Sequence, residues 1–127
     1  MREIKFRGKV LQSSSYPEMV GEWVYGYFFE DLVGGEVCSF IFNAPTSFMV
    51  DPRTVGQFTG LRDSNENKIY SGDVIKTLSG IAEVVFDSGM FALESPGSEA
   101  IDYDLFLVSQ LSVIIGNVFD NHKLIEK

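Results

Sequence analysis

Hydrophobic and polar positions alternate with a period of two along most of this chain, the spacing of strands with one buried face. Residues 2–7 set the pattern, with Ile4 and Phe6 on one face and charged side chains on the other. Residues 12–22, with three consecutive serines and Pro17, predict a loop. The aromatic run 23–29 then predicts a strand. Gly34-Gly35 separates it from residues 36–42 as a hairpin whose loop, lengthened by the preceding polar residues, exceeds two residues. Residues 43–47, with Pro45, break the chain again, and the glycine-spaced run 55–61 predicts a bent or bulged connection. After the polar loop 63–68 comes a meander of strands at 74–78, 81–87 and 90–94, joined by Ser79-Gly80 and Ser88-Gly89 turns. A polar loop over 95–104, a short strand or single helical turn at 105–108, and a strand over 111–119 follow. Asp120-Asn121 is placed to cap a short C-terminal helix at 121–126.

The fold class is therefore all-β and mainly antiparallel. Residues 1–62 form an N-terminal β portion. Residues 63–127 resemble a small SH3-like barrel, in which a Gly-Asp-Val-Ile segment leads into the meander and a later Ile-Ile-Gly-Asn strand closes it. With 45% hydrophobic and 22% charged residues the chain has the composition of a folded domain. At 127 residues one domain buries enough surface to stand without a metal or disulfide staple. Cys38 is the only cysteine, so no intramolecular disulfide forms. No apolar run is long enough for a membrane span, and the first residues lack a signal-peptide core, so the expected location is the cytoplasm, with no membrane contact.

Charge changes the picture by its distribution. Residues 1–9 hold Arg2, Lys5, Arg7 and Lys9 against Glu3 alone, a local balance of +3, so the rest of the chain carries −11 within the net charge of −8. No Lys or Arg occurs between Lys76 and Lys123. Such an acidic half repels nucleic-acid phosphates. The basic first strand is the one segment suited to phosphate, with Arg53 and Arg62 as helpers, although a solvated strand face is the favoured account of it.

Candidate chemistry is sparse. The single histidine, His122, lies in the terminal helix segment, and Cys38 sits in an apolar strand pattern, where cysteine is most often a small packed residue. Together they cannot supply a structural zinc site, and nothing in their sequence setting marks them as a nucleophile–base pair. Asp63, Asn65 and Asn67 match the first ligand positions of an EF-hand loop, but Lys68 replaces the required glycine and Val74 the closing glutamate. The segment is a polar turn. Asp102 and Asp104 are solvated loop carboxylates. No phosphate-binding loop or nucleophile elbow occurs, so neither an enzyme nor a cofactor is expected. The aromatic strand is the stronger feature: Trp23, Tyr25, Tyr27 and Phe29 share one face. Exposed rings on a sheet can stack bases, but their neighbours here are Glu22, Glu30 and Asp31, which favours a core or an oligomer interface.

Several segments, in order, resemble the YopX family of phage and prophage proteins. They are residues 2–7 (REIKFR), 54–63 (TVGQFTGLRD), 69–75 (IYSGDVI), 85–91 (VFDSGMF) and 114–121 (IIGNVFDN). Ser71 stands where the family usually has Glu, and His122 where it often has Pro. The resemblance implies a small phage-derived β protein and no known activity. Its shared residues, Gly56, Gln57, Phe58, Thr59, Gly60, Asp63, Gly72, Asp73, Gly116 and Asn117, have the character of turn and bulge residues. The expected function is a non-enzymatic interaction module acting through a protein partner or as a homo-oligomer, with Arg2, Lys5, Arg7, Trp23, Tyr25 and Tyr27 as candidate interaction residues. Nucleic-acid binding through the basic strand and acidic decoy action against host DNA-binding enzymes are the alternatives.

Overall fold

Alternation decides which side of each strand leaves water, and the computed structural model, which describes residues 3–97, 101–102 and 104–125, shows where those sides meet. The chain divides into two compact units, Met1–Gln57 and Phe58–Lys127. The sequence places the corresponding boundary at residue 62.

The first unit contains β1 (Phe6–Gln12), β2 (Trp23–Val33), β3 (Glu36–Asn43) and β4 (Thr46–Val50). Each pairs antiparallel with the next, and β4 pairs back with β1. The pairings thus run in a ring, the small-barrel solution to exposed strand edges. Val10, Val24, Ile41 and Val50 fill its interior, with Phe6, Phe28, Phe48, Met19 and Val55 packed against them. Each fully buried aliphatic side chain stabilises the fold by about 1.5–3 kcal/mol. At the end of β4, Asp51 caps a 3-10 turn at Pro52–Thr54 by accepting the Arg53 N–H, and Thr54 Oγ1 accepts the Lys9 N–H at 2.9 Å.

The second unit is built on the later part of β5 (Gly56–Arg62), with β6 (Lys68–Tyr70), β7 (Asp73–Thr77), β8 (Gly80–Asp87), β9 (Met90–Glu94), β10 (Ile101–Asp102) and β11 (Val113–Asn117). β5 pairs with β6, and the other five form a sheet in the order β10-β9-β8-β7-β11. The neighbours match the expected SH3-like meander closed by a late strand. Ile69, Ile75, Ala82, Val84, Leu93 and Leu105 form the core. Leu105 comes from α1 (Leu105–Val108), a single helical turn and the one α-helix among the described residues. No helix among them is long and apolar enough to cross a membrane.

The fold is mainly antiparallel β, as the periodicity predicts, with local differences that have physical causes. β1 begins at Phe6 rather than in the first residues, and Ile4 is exposed. The β2–β3 loop is only Gly34-Gly35, both with positive φ, because Glu30 and Asp31 lie inside β2 instead of in the turn. Positive φ at both central residues gives the turn a twist that matches its flanking strands. β4 was hidden by Pro45, which lies in the turn before it. The predicted C-terminal helix is a 3-10 turn at His122–Ile125.

Candidate interaction surface

Strand β2 carries the aromatic pattern, and its two faces separate cleanly. Val24 and Phe28 point into the first unit's core. Tyr25, Tyr27 and Phe29 point outward, and Tyr27 is 67% exposed. This face is therefore not core, which removes one of the two readings open at the sequence level. Cross-strand register enlarges it: Tyr27 lies opposite Phe42, and Phe29 opposite Phe40. The Phe29 and Phe40 rings stack at 5.1 Å with planes only 10° apart. Phe42 and Phe40 are residues the sequence reading left out. The signal for them was the alternation in β3, which is visible only once the hairpin register is known.

Trp23 belongs to the same face but is half-buried. The Arg7 guanidinium lies 4.6 Å from its ring centroid, and the Lys9 ammonium 5.7 Å away. Arg7 is itself buried. Two of the basic residues in β1 are thus spent on an indole ring, a cation–π arrangement within the fold. Lys5 is half-buried and, with Ile4, Tyr25, Tyr27, Phe42 and Asn43, borders a cleft of about 320 Å³. Arg2 lies outside the described residues. Of the suggested helpers, Arg53 forms an ion pair with Asp51 at 2.7 Å, and Arg62 donates to the Glu66 carbonyl at 3.0 Å.

The motif residues are spread along the turns and strands. Gly56 is buried at the start of β5, where Gln57 lies opposite Phe6. Phe58 packs its ring against Tyr70, at 5.6 Å. Thr59 Oγ1 donates to the Ile69 carbonyl and accepts the Leu61 N–H, holding the irregular stretch of β5 that contains Gly60. Asp73 accepts the Tyr70 N–H at 2.8 Å across the turn containing Gly72. Asn117 Oδ1 accepts the N–H groups of Phe119 and Asp120, closing the turn after β11, whose register shifts at Gly116.

Asp63 is the most constrained of them. Its Oδ1 accepts from the Asn65 and Asn67 backbones and its Oδ2 from Ile114, and it is buried. Burial alone pushes its carboxyl up. The Ile114, Asn67 and Asn65 N–H groups outweigh that and hold it below the ordinary carboxylate value. Both carboxylate oxygens thus organise a loop. Asp102 does similar local work, accepting the Asp104 N–H before α1. On the five-stranded sheet, Glu83 lies directly opposite Glu94, and burial followed by that charge raises the Glu83 pKa. Cys38 is half-buried opposite Asp31, and His122 opens the last 3-10 turn.

Comparison with known proteins gives the same picture of fold. The family model described as YopX protein matches residues 5–126. The crystal structure of protein EF1440 from Enterococcus faecalis is similar, with 19% identity and a TM-score of 0.51, covering 99% of this chain and 100% of that one. At that identity the likeness speaks to fold alone. No curated protein sequence matches.

Proposed function

The chain belongs to the YopX family across nearly its whole length, and from that premise we propose that it is a non-enzymatic, phage- or prophage-derived interaction module of the cytoplasm. It works through a protein partner or through self-association. The observation that carries this reading is the outward aromatic face of β2 and β3, where Tyr25, Tyr27 and Phe29 are exposed beside Phe40 and Phe42. Large rings with one wet face are the residues that supply most energy in protein interfaces. A contiguous exposed patch of them on a small domain marks an interaction site.

Nucleic-acid contact is supported less well. Arg7 is buried against Trp23, and Arg53 is engaged by Asp51. Phosphate binding needs cations that can give up counterions at the surface.

Light scattering with in-line size exclusion, over a salt series, tests the reading. A discrete oligomer that persists at high salt and dissociates in Tyr27→Ser, Phe29→Ser identifies apolar self-association. A monomer in both, with no protein captured by the wild type that the double variant fails to capture, overturns it.

A further inference from the structure

β2 is 11 residues long, and its two edges are used unequally. Residues 23–26 pair with β1, whereas residues 27–33 pair only with β3. Among the described residues, then, no strand covers the β1-side edge of β2 beyond Gly26. β4 reaches β3 only as far as Ser39. The chain from Glu30 to Cys38 therefore projects as a two-stranded ribbon. Such a ribbon is marginally stable alone, and an open strand edge is a template for another chain.

Three details narrow what fits there. Leu32 directs its N–H to the neighbouring Asp31 carboxylate at 2.8 Å, so a side chain occupies an amide of the ribbon. Leu32, Val33 and Val37 are exposed at 65%, 46% and 66%, leaving apolar area on both faces. The charged residues of the ribbon are Glu30, Asp31 and Glu36, with no Lys or Arg among them. A second copy pairing antiparallel about Glu30 would set Glu30 directly against its own counterpart, and like charges directly opposite are destabilising. A basic strand meets the opposite sign.

We propose that the open edge of β2, residues 28–33, takes up an extended segment of a partner protein as an added strand, with adjacent Lys or Arg residues opposite Glu30 and Asp31 and β-branched residues on either side. Main-chain hydrogen bonds supply the affinity, and the two acids, which project to opposite faces of the ribbon, supply the selectivity. Asp31 releases the Leu32 N–H to the incoming carbonyl when its carboxylate turns to the partner's base. This proposal rests on the interaction-module reading and names the partner's chemistry.

The probe is the capped peptide Thr-Val-Lys-Lys-Val-Thr, titrated into the full chain and followed by amide chemical shifts. Saturable shifts at residues 28–33 are expected. The same peptide with both valines replaced by proline loses strand hydrogen bonds and binds about tenfold more weakly or not at all. In Glu30→Lys, Asp31→Lys the preference inverts: the lysine peptide weakens by about tenfold, and Thr-Val-Glu-Glu-Val-Thr gains by a similar factor. That gain cannot come from a misfolded variant. Equal binding of the valine and proline peptides, or no inversion in the charge-reversed variant, overturns the proposal. If the peptide fails while Tyr27→Ser, Phe29→Ser still abolishes assembly or capture, the edge is wrong and the aromatic-face reading stands.

Discussion

Asp63 Oδ2 accepts the backbone N–H of Ile114 at 3.0 Å across a separation of 51 residues, tying the loop after β5 to strand β11. The other oxygen gathers the loop itself through Asn65 and Asn67. Asp63→Asn keeps the size but turns an amide donor toward at least one of these N–H donors. The expected cost is about 2–3 kcal/mol, read from urea unfolding at neutral pH.

The same carboxylate makes stability depend on acid. Its folded pKa lies below the ordinary 3.8, so its contribution is complete above that value and is lost as pH falls through the lower, folded value. Unfolding curves at pH 7 and near pH 3 should show the wild type losing more stability than Asp63→Asn over this interval.

Glu83 behaves in the opposite sense. Burial and Glu94 raise its pKa above 4.5, so the folded state holds the proton more tightly and loses stability as pH rises through the window above that value. Glu83→Gln removes a like-charge cross-strand pair. It should raise stability at pH 7 by about 0.5 kcal/mol. The advantage should vanish at pH 4, where the wild-type carboxyl is largely protonated. Thermal melts at the two pH values check it.

Two glycines of the first unit separate crowding from backbone strain. A Cβ on Gly26 would collide with the Phe42 carbonyl oxygen, which is backbone and cannot swing aside. Gly26→Ala should cost about 3 kcal/mol. Gly34 has open space around it but a φ of +61°. Gly34→Ala should cost about 1 kcal/mol, the penalty for a side chain in the left-handed region. Denaturant midpoints for the two variants should fall in that order.

Arg7 and Trp23 offer a further check. Arg7→Ala removes both the cation over the ring and the aliphatic stem that covers it, with an expected loss of about 1–2 kcal/mol. Arg7→Lys should recover only part, since a compact ammonium lacks the guanidinium's flat stacking surface.

The meander and its turns were legible because period-two alternation and Ser-Gly pairs are local signals. β7, β8 and β9 fall where residues 74–94 predict them. The strands missed or shortened were those whose local chemistry conflicts with their final place. Glu30 and Asp31 are strand residues only because β3 pairs with them, and β4 follows a proline turn. The aromatic stripe was readable as a stripe, but not which way it faced, since Val24 and Phe28 on the opposite side are equally apolar. Asp63 was marked as a residue of a polar turn. Its bond to Ile114 was beyond reach, because nothing local in the sequence specifies a partner so distant along the chain.

The position of Trp23 has an experimental consequence. It is the sole tryptophan of the chain, and it lies in the first of the two compact units. Indole emission therefore follows the loss of structure around β1 and β2, while far-ultraviolet dichroism registers the strands of both units. Superimposable denaturation curves from the two signals would mean that both units melt in a single cooperative event; separated curves would assign each transition to its half of the chain without labelling either.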